Sequence, residues 1–370
     1  MIYLSDFKQQ EESISSFRIA ATYIGTVIGA GFASGQEILQ FFGFHGFRGF
    51  WGLILTTILF IIYGYIILYV GLKCQAESYR EVLEYIGGDY LGKLMDIAVT
   101  IFLLGTFTAM IAASGAIFRE QFNLPYIMGN FVMLVFSAGT AILGIKGIVR
   151  SISLVVPLLL TGIIFLSIYS FYQYPLTEIM NMDNFIIVEV PASNWAFSAL
   201  LYTSYNLVLA IAILGPLGAN ISDKNKLKFG SLMGGLGLGL GAFAILFPLL
   251  LNINEIIEFE IPMIYIAGTM TYWIQFCYSL ILLFEIYTTA ISNLFGIASR
   301  SKTIFGLNYK INIIMISTLV LFFSQMGFSN LIYYIYPFIG YAGLLMMIGF
   351  FYSYLKDKVI FILSLLTKFC

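Results

Sequence analysis

Residues 22–37 have the sequence TYIGTVIGAGFASGQE, in which four glycines fall within eleven residues of an apolar run that extends over residues 17–42. Glycine costs about 1 kcal/mol relative to alanine in a helix interior. Glycines at this density therefore favour a backbone that unwinds locally, and the alternative is close packing of small residues between helices. We expect the break over residues 29–32, with the helix restarting near Phe32.

The composition of the whole chain identifies the surroundings of this run. Of 370 residues, 60% are hydrophobic and 10% are charged, whereas soluble domains average roughly 45–50% and about 25%. Such a chain must expose apolar surface to lipid, so we predict an integral membrane protein whose partner is the bilayer. A net charge of −1 argues against nucleic-acid binding, and three scattered cysteines predict neither a disulfide framework nor a metal motif.

Ten apolar runs, separated by charged or turn residues, predict an all-α protein with ten transmembrane helices. The runs cover residues 17–42, 49–72, 92–122, 126–146, 147–172, 195–219, 228–250, 264–297, 311–326 and 328–355. We expect an N-terminal segment (1–16), a first five-helix unit (17–172), an external loop (173–194), a second five-helix unit (195–355) and a C-terminal tail (356–370). Val359–Phe369 is too short to span a bilayer, so we expect this tail to lie at the inner interface.

Lysine and arginine distribute unequally between the alternate loops of this arrangement. Of the 18 basic residues, all except Arg48 and Arg119 fall on one side. Because cytoplasmic loops retain positive charge during insertion, both termini are predicted to be cytoplasmic. The first sixteen residues lack the basic-then-apolar pattern of a cleavable signal, so we expect the first span to be retained.

The two five-helix units carry similar features in the same order. Pro157 and Pro337 occupy equivalent places in the fifth and tenth spans, and the third and eighth spans are the longest of their units. A repeat with an odd number of helices must insert its second copy upside down, an architecture that many secondary transporters use. The sixth span carries a polar cluster over residues 202–206 in place of glycines. We expect this span to be discontinuous like the first, and interhelical hydrogen bonding is the alternative.

Residues 25–38, GTVIGAGFASGQEI, resemble the first-helix signature of the amino acid/polyamine/organocation superfamily and, within it, the bacterial YkvI-like membrane protein family. The resemblance extends over essentially the whole chain in the number and order of spans, although only the first-span motif is specific. It implies a LeuT-type fold of five plus five inverted helices in the bacterial inner membrane. It also implies a substrate site between helices one, three, six and eight, and a cation site between helices one and eight.

Backbone and side chains at these positions are candidates for binding a small-molecule substrate. The unwound first span would supply free amides and carbonyls, and the N-terminal end of its second half would suit a carboxylate. Spans three and six would add polar groups and aromatic walls. The candidate residues are Thr26, Gly29, Ala30, Gly31, Phe32, Phe102, Thr106, Ser204, Tyr205 and Asn206.

Glu285 is predicted to lie near the middle of the membrane, because fifteen residues separate it from Arg300 at the inner end of its span, or about 22 Å of helix. A charged side chain there costs about 2.5–3.5 kcal/mol, and no span centre carries a basic partner. Glu285 must therefore be protonated, bound to a cation or facing water, and a protonated structural role is the alternative to ion coupling. The candidate ion-coupling residues are Gly25, Ile28, Glu285, Thr288, Thr289 and Ser292, all but the last being candidate Na⁺ ligands.

Glu37 follows the expected break by about two turns and is predicted to lie toward the external face. A gating or cation-attracting role is one interpretation. A solvated side chain in the outer vestibule is the other.

These features together predict a secondary transporter of a small amino acid, or a related zwitterion or amine, coupled to Na⁺ or H⁺ and working by alternating access. No further cofactor is expected, and the oligomeric state is left open. Enzyme chemistry is not expected, because the only histidine, His45, has no companions at the spacing of a zinc site or a catalytic triad. A ligand-sensing receptor subunit that does not transport is the alternative. An ion channel is a third class, but no repeated acidic ring indicates a pore.

Overall fold

The structure is a computed structural model that describes residues 14–143, 148–173, 190–305 and 308–366. The regular elements within these ranges are all helical. They are α1 (Ser16–Val27), α2 (Ala30–Ser34), α3 (Gln36–Phe41), α4 (Arg48–Cys74), α5 (Tyr79–Phe122), α6 (Tyr126–Leu143), α7 (Ile148–Gln173), α8 (Trp195–Ala219), α9 (Lys224–Leu251), α10 (Ile253–Ile256), α11 (Pro262–Met270), α12 (Tyr272–Phe305), α13 (Tyr309–Phe323) and α14 (Phe328–Leu366), with short 3₁₀ turns at Gly43–His45 and Ser324–Met326.

Seven helices of the described ranges, α4, α5, α8, α9, α12, α13 and α14, include segments long and apolar enough to cross a membrane. The shorter apolar stretches Tyr126–Ile142 and Pro157–Gln173 lie in α6 and α7. The remaining predicted span is divided among α1, α2 and α3. These segments occupy the ten predicted positions, while the count of ten crossings and the inverted order of the two units stay predictions.

The first predicted span is broken twice. α1 ends at Val27, and the next two residues are extended, with ψ 109° at Ile28 and φ −131°, ψ −172° at Gly29. The helix restarts at Ala30, two residues earlier than expected. A second break follows at Gly35, where a φ of +82° favours glycine and an added Cβ would lie 2.8 Å from the Met263 side chain. The chain therefore changes direction within six residues of the first break.

The sixth predicted span is continuous, so the expectation of a broken helix there is wrong. α8 runs without interruption from Trp195 to Ala219. Two members of its polar cluster bond within the helix: the Thr203 hydroxyl donates to the Ala199 carbonyl at 2.8 Å, and the Asn206 amide donates to the Tyr202 carbonyl at 2.9 Å. Because these side chains bond back to their own turn, they leave the helical backbone ladder in place.

Two further boundaries differ from the sequence prediction. The eighth predicted span is two helices, because Thr271 is extended (φ −158°, ψ 153°) between α11 and α12. The tenth span does not end at residue 355, since α14 continues through Leu366 and takes up most of the expected tail. Residues 1–13, 144–147, 174–189, 306–307 and 367–370 lie outside the described ranges, including most of the predicted external loop and N-terminal segment.

The helices pack in two groups. In the first group, α1 and α4 both contact α8 and α9. In the second group, α5 contacts α6 and α12, and α12 in turn contacts α6 and α13. α14 touches both α8 and α5, and α7 touches both α9 and α12, so these two helices join the groups. The broken first span also contacts the second group, since α2 packs against α12.

Polar contacts at the helix ends separate two faces of the bundle. On one face Lys73 forms an ion pair with Asp357, and Arg300 forms one with Asp96. On the other face the Arg119 guanidinium lies 2.7 Å from the Glu260 carboxylate. The first set comprises ends that the sequence assigns to the cytoplasmic side, and Arg119 belongs to the opposite side. The ends therefore segregate as the alternation of spans requires, while their orientation in the membrane stays a prediction.

The first group depends on a close crossing of α4 and α8. A Cβ added to Gly71 would lie 2.0 Å from the Gly215 carbonyl oxygen, and one added to Gly218 would lie 2.1 Å from the Leu68 carbonyl oxygen. Both obstacles are backbone atoms, which cannot rotate away. Small residues at such crossings allow two membrane helices to approach at backbone distance.

We expect Gly218→Ala to destabilise the protein, because overpacking of this kind costs about 1–3 kcal/mol. The measurement is the apparent melting temperature of the purified protein in detergent. Gly139→Ala on α6 is the matched control, since an added Cβ there would meet nothing within 4 Å and alanine is the better helix former. Equal melting temperatures for the two variants would contradict the close crossing.

Candidate functional site

A cavity of about 200 Å³ lies between the two helix groups, beside the break in the first span. Its walls come from the α1–α3 segment and α8 on one side, from α5 and α12 on the other, and from α14. The lining residues are Gly25, Thr26, Val27, Ile28, Gly29, Ala30, Gly31, Glu37, Phe102, Thr106, Met110, Tyr205, Asn206, Leu209, Glu285, Thr288, Thr289, Ser292, Asn293 and Tyr336. A volume below the roughly 300–1,000 Å³ of ordinary ligand pockets suits a small molecule.

The structure brings most of the predicted site residues to this one cavity. Among the substrate candidates, the lining includes Thr26, Gly29, Ala30, Gly31, Phe102, Thr106, Tyr205 and Asn206. It also includes every ion-coupling candidate, Gly25, Ile28, Glu285, Thr288, Thr289 and Ser292, and it includes Glu37. The predicted substrate and ion residues therefore surround a continuous space.

Two of the predicted substrate residues, Phe32 and Ser204, are not among the residues that line the cavity. The Phe32 ring points toward α9, where a Cβ added to Gly241 would lie 3.4 Å from its Cζ. The Ser204 hydroxyl donates to the Gly340 carbonyl at 2.7 Å and so ties α8 to α14. Both residues sit next to true lining residues in sequence, but their side chains leave the helix on other faces.

Five of the lining residues were not predicted from the sequence: Val27, Met110, Leu209, Asn293 and Tyr336. Asn293 carried a usable signal, because it lies two helical turns after Glu285 and so shares its face. Its amide donates to the Thr106 hydroxyl at 3.0 Å, which connects α12 to α5 across the cavity wall. The other four are apolar or aromatic, and residues of these types are too frequent in the chain for any one to stand out.

The glycines at the first break border open space. A Cβ added to Gly25 or Gly29 would meet no atom within 4 Å. This distinguishes them from Gly71 and Gly218, and it excludes tight helix packing as the reason for glycine at these two positions. Because α1 ends here, its last carbonyls have no partner in the next turn, and they border the cavity as hydrogen-bond or cation acceptors.

Glu37 is buried against the break. Its side chain is 6% exposed, and the Tyr205 hydroxyl donates to its Oε2 at 2.5 Å. The Glu37 Oε1 lies so close to Gly31 that a Cβ there would be 1.8 Å away, so a side chain at position 31 would displace the carboxyl group. The interpretation of Glu37 as a solvated vestibule residue is therefore wrong.

Glu285 lies midway along the apolar segment Tyr272–Ala298, and its side chain is 4% exposed. Its Oε2 has no hydrogen-bond partner. The Thr288 hydroxyl donates to the Glu285 carbonyl at 3.0 Å, so its oxygen can still accept. None of the described residues that line the cavity is basic. The cavity thus contains two buried carboxyl groups without a cationic partner.

The cavity is closed toward the end of the bundle that carries Arg119. There the Gln36 amide donates to the Ser329 hydroxyl and the Gln40 amide donates to the Ser329 carbonyl, both at 2.8 Å, which fastens α3 to the start of α14. Toward the opposite end, Gly25 and Ser292 are exposed. These two lining residues lie toward the side that the charge distribution assigns to the cytoplasm.

The fold is shared with solved membrane transporters at low sequence identity. The Eremococcus coleocola manganese transporter superposes with a TM-score of 0.62 over 91% of this chain and 78% of its own, at 12% identity. MhsT in complex with L-phenylalanine gives a TM-score of 0.58 over 90% and 86%, at 15% identity. Mhp1 in its inward-facing conformation gives 0.56 over 84% and 70%, at 13% identity. These similarities show the LeuT-type fold of the chain.

The sequence itself has relatives of nearly the same length. No family model matches the chain. The protein YyaD of Bacillus subtilis strain 168 is 28% identical over 327 residues, which is 88% of this chain and 93% of YyaD. The membrane protein YkvI of the same organism is 30% identical over 330 residues, 89% of this chain and 93% of YkvI. With this identity over nearly all of both sequences, the chain belongs to the family of the multi-pass membrane protein YkvI.

Proposed function

We propose that the protein is a secondary transporter that carries a small amino acid, or a related zwitterion or amine, together with Na⁺ or H⁺ by alternating access. The observation that carries this proposal is a single cavity, between two helix groups, that joins a broken helix to an unpartnered buried carboxyl oxygen of Glu285. Neither the helix break nor the buried Glu285 carboxyl group stabilises a membrane fold by itself. Both are explained if a polar solute and a cation bind in the cavity.

The substrate would bind at the break and on the facing helices. The backbone N–H groups of Gly29 and Ala30 lie at the start of α2, where they have no partner within that helix, while the Gly29 carbonyl accepts from the Ala33 N–H. Asn206 adds an amide from α8. Phe102 and Tyr205 supply aromatic walls whose ring centroids are 6.1 Å apart. The cavity volume of about 200 Å³ supports a substrate of a few heavy atoms.

The coupling ion would bind on the α12 side of the same space. The cavity lining includes Glu285 together with Gly25 and Ile28 and the hydroxyl residues Thr288, Thr289 and Ser292. Their carbonyl, hydroxyl and carboxyl oxygens would be the ligands. These are hard oxygen ligands of the type that Na⁺ accepts, and the carboxyl group can instead take a proton. Either ion removes the cost of a buried negative charge at Glu285.

The two helix groups provide the parts that alternating access requires. The first group holds the broken span, and the second group holds α12. Relative movement of the groups would close the exposed path at Gly25 and Ser292 and release the contacts that Gln36 and Gln40 make with Ser329. Occupancy of the cavity by substrate and ion would decide which arrangement is favoured.

We expect Glu285→Gln to reduce gradient-driven accumulation of the substrate at least about tenfold, while part of the exchange activity remains. The amide keeps the size of the side chain but can neither carry nor release a proton and holds no charge for Na⁺. The substrate is first identified by a thermal-shift screen of amino acids and amines, with and without Na⁺ and at two pH values, since a bound ligand raises the melting temperature. Uptake and counterflow are then measured in liposomes.

Glu258→Gln is the matched control for this experiment, because it makes the same chemical change at an exposed residue outside the cavity. We expect it to accumulate substrate like the unmodified protein. Full concentrative uptake by Glu285→Gln would remove Glu285 from the coupling mechanism.

Alternating access also predicts the side from which Ser292 is reached. In a background with the native cysteines replaced, we expect Ser292→Cys to react with a membrane-impermeant thiol reagent from the cytoplasmic side, and substrate with ion to slow the reaction at least about threefold. Reaction rates are compared in inside-out and right-side-out vesicles. Labelling from the external side alone, at a rate independent of ligand, would contradict both the orientation and the mechanism.

A ligand-sensing receptor subunit on the same fold is the alternative function. A sensor would bind the substrate through the same cavity but would not move it. We expect the reconstituted protein to deplete external substrate when an ion gradient is imposed. Binding that saturates without any uptake, with or without a gradient, would support the sensor instead.

A further inference from the structure

Glu37 is a buried acid in the cavity to which the proposed function gives no role. We propose that Glu37 binds the ammonium group of a substrate that carries a net positive charge, a small primary amine without a carboxylate. This inference rests on the proposed function for the use of the site, and it selects one class among the substrates named there. Four observations carry it: the charge of the cavity, the geometry of Glu37, the aromatic wall and the unpartnered oxygen of Glu285.

The charge of the cavity favours a cation over a zwitterion. Glu37 and Glu285 both line it, and none of its described lining residues is Lys, Arg or His. One cation at Glu285 leaves Glu37 without a counter-charge. A zwitterion would supply an ammonium group but would also add a third carboxylate to the same small space. A monocationic amine supplies the missing positive charge alone.

The geometry of Glu37 places one carboxyl oxygen beside the break. Tyr205 donates to Oε2, and this hydrogen bond fixes the carboxyl group to α8. Oε1 lies over the Cα of Gly31, beside the break, in the space that a side chain at position 31 would fill. A protein carboxylate thus already occupies the region next to the restarted helix, where a substrate carboxylate would otherwise be expected to bind.

The wall beside Glu37 is aromatic. The ring centroids of Phe102, Tyr205 and Tyr336 are 5.0–6.1 Å apart in each pairing, so the three rings form one continuous cluster. Aromatic ring faces carry partial negative charge, so they attract an ammonium group and repel a carboxylate. The apolar side chains of Met110 and Leu209 complete a surface suited to a short alkyl chain.

The unpartnered oxygen of Glu285 is a second, independent indication that the cavity binds cations. Glu285 is 4% exposed, and its Oε2 has no hydrogen-bond donor nearby. It reaches the same cavity as Glu37 from the opposite helix group. Either acid can be neutralised by a proton or by a cation. We assign the coupling ion to Glu285 and the substrate amine to Glu37.

A divalent metal ion is the alternative substrate, because it is positively charged like the proposed amine. Within the described part of the chain no group of three or more His, Cys, Asp or Glu side chains is placed to hold one. Mg²⁺ and Ca²⁺ need six or more oxygen ligands, of which several are usually carboxylates or waters. The aromatic wall supplies no carboxylate and only the hydroxyl oxygens of its two tyrosines, so we place metal binding among the outcomes of the test.

The test uses four-carbon probes that differ in charge. n-Butylamine is a cation at pH 7, 2-aminobutyrate is a zwitterion and butyrate is an anion. Binding to the purified full chain in detergent is measured by thermal shift and calorimetry, in the presence of NaCl, with MnCl₂ as a fourth probe. We expect n-butylamine to bind at least about tenfold more tightly than the other two organic probes. We also expect Glu37→Gln to weaken n-butylamine binding at least about tenfold.

Folding of the variant is checked by its melting temperature without ligand. Glutamine keeps an acceptor for the Tyr205 hydroxyl, so we expect a change of no more than a few degrees. Tyr205→Phe, which frees the carboxyl group without removing it, should weaken n-butylamine binding less than Glu37→Gln does. Glu258→Gln is the matched control and should bind n-butylamine like the unmodified protein. The comparison of probes on the unmodified protein tests the inference even if a variant fails to fold.

Several results would overturn the inference. These are 2-aminobutyrate binding as tightly as n-butylamine, no binding by any organic probe, undiminished n-butylamine binding by Glu37→Gln, and Mn²⁺ binding that Glu37→Gln abolishes. The proposed transport function fails in a different experiment. Glu37-dependent binding of n-butylamine without any uptake into liposomes would refute transport and leave the amine site standing, whereas gradient-driven uptake of 2-aminobutyrate would do the reverse.

Discussion

The structure depends on one electrostatic constraint, which is that an acidic side chain in the middle of a membrane protein must meet a cation, a proton or water. Glu285 has no basic partner among the residues that line its surroundings, and one of its oxygens meets no donor. A carboxylate in such a place costs about 2.5–3.5 kcal/mol unless something compensates it. The break at Ile28 and Gly29 is subject to a similar constraint. Its unpaired backbone groups also need a polar environment at this depth in the membrane. Each feature supplies the surroundings that the other requires.

The sequence was sufficient for those features whose signals are local. Glycine density located the first break to within a few residues, and the absence of charge around Glu285 located a buried acid. The remainder depends on contacts between distant segments. The continuity of α8 follows from Thr203 and Asn206 bonding back to their own turns, a choice that the composition of the cluster does not reveal. The break at Thr271 occurs without glycine or proline at that position, so no local pattern marks it.

Glycine illustrates this limit well, because the same residue type serves opposite purposes. At Gly218 an added Cβ would lie 2.1 Å from a backbone oxygen of α4, whereas at Gly25 and Gly29 it would meet nothing within 4 Å. The first position brings helices together, and the other two border the cavity. Glu37 is a related case. Its inward direction is set by the left-handed turn at Gly35, which rotates α3 relative to α2 and carries the carboxyl group back against Gly31.

The positions of the two acids suggest how substrate and ion would depend on each other. Glu37 belongs to the first helix group through its bond to Tyr205, and Glu285 belongs to the second through α12. Two carboxylates that face one small space repel each other, so a cation bound at either one lowers the cost of closing the space around the other. The two bound cations also repel each other across the low-dielectric cavity, so direct charge interaction alone would make each weaken the binding of the other. Positive coupling between ion and substrate therefore has to come from the closed arrangement of the two helix groups, which both ligands favour. By linkage, each ligand then raises the affinity for the other by the same factor.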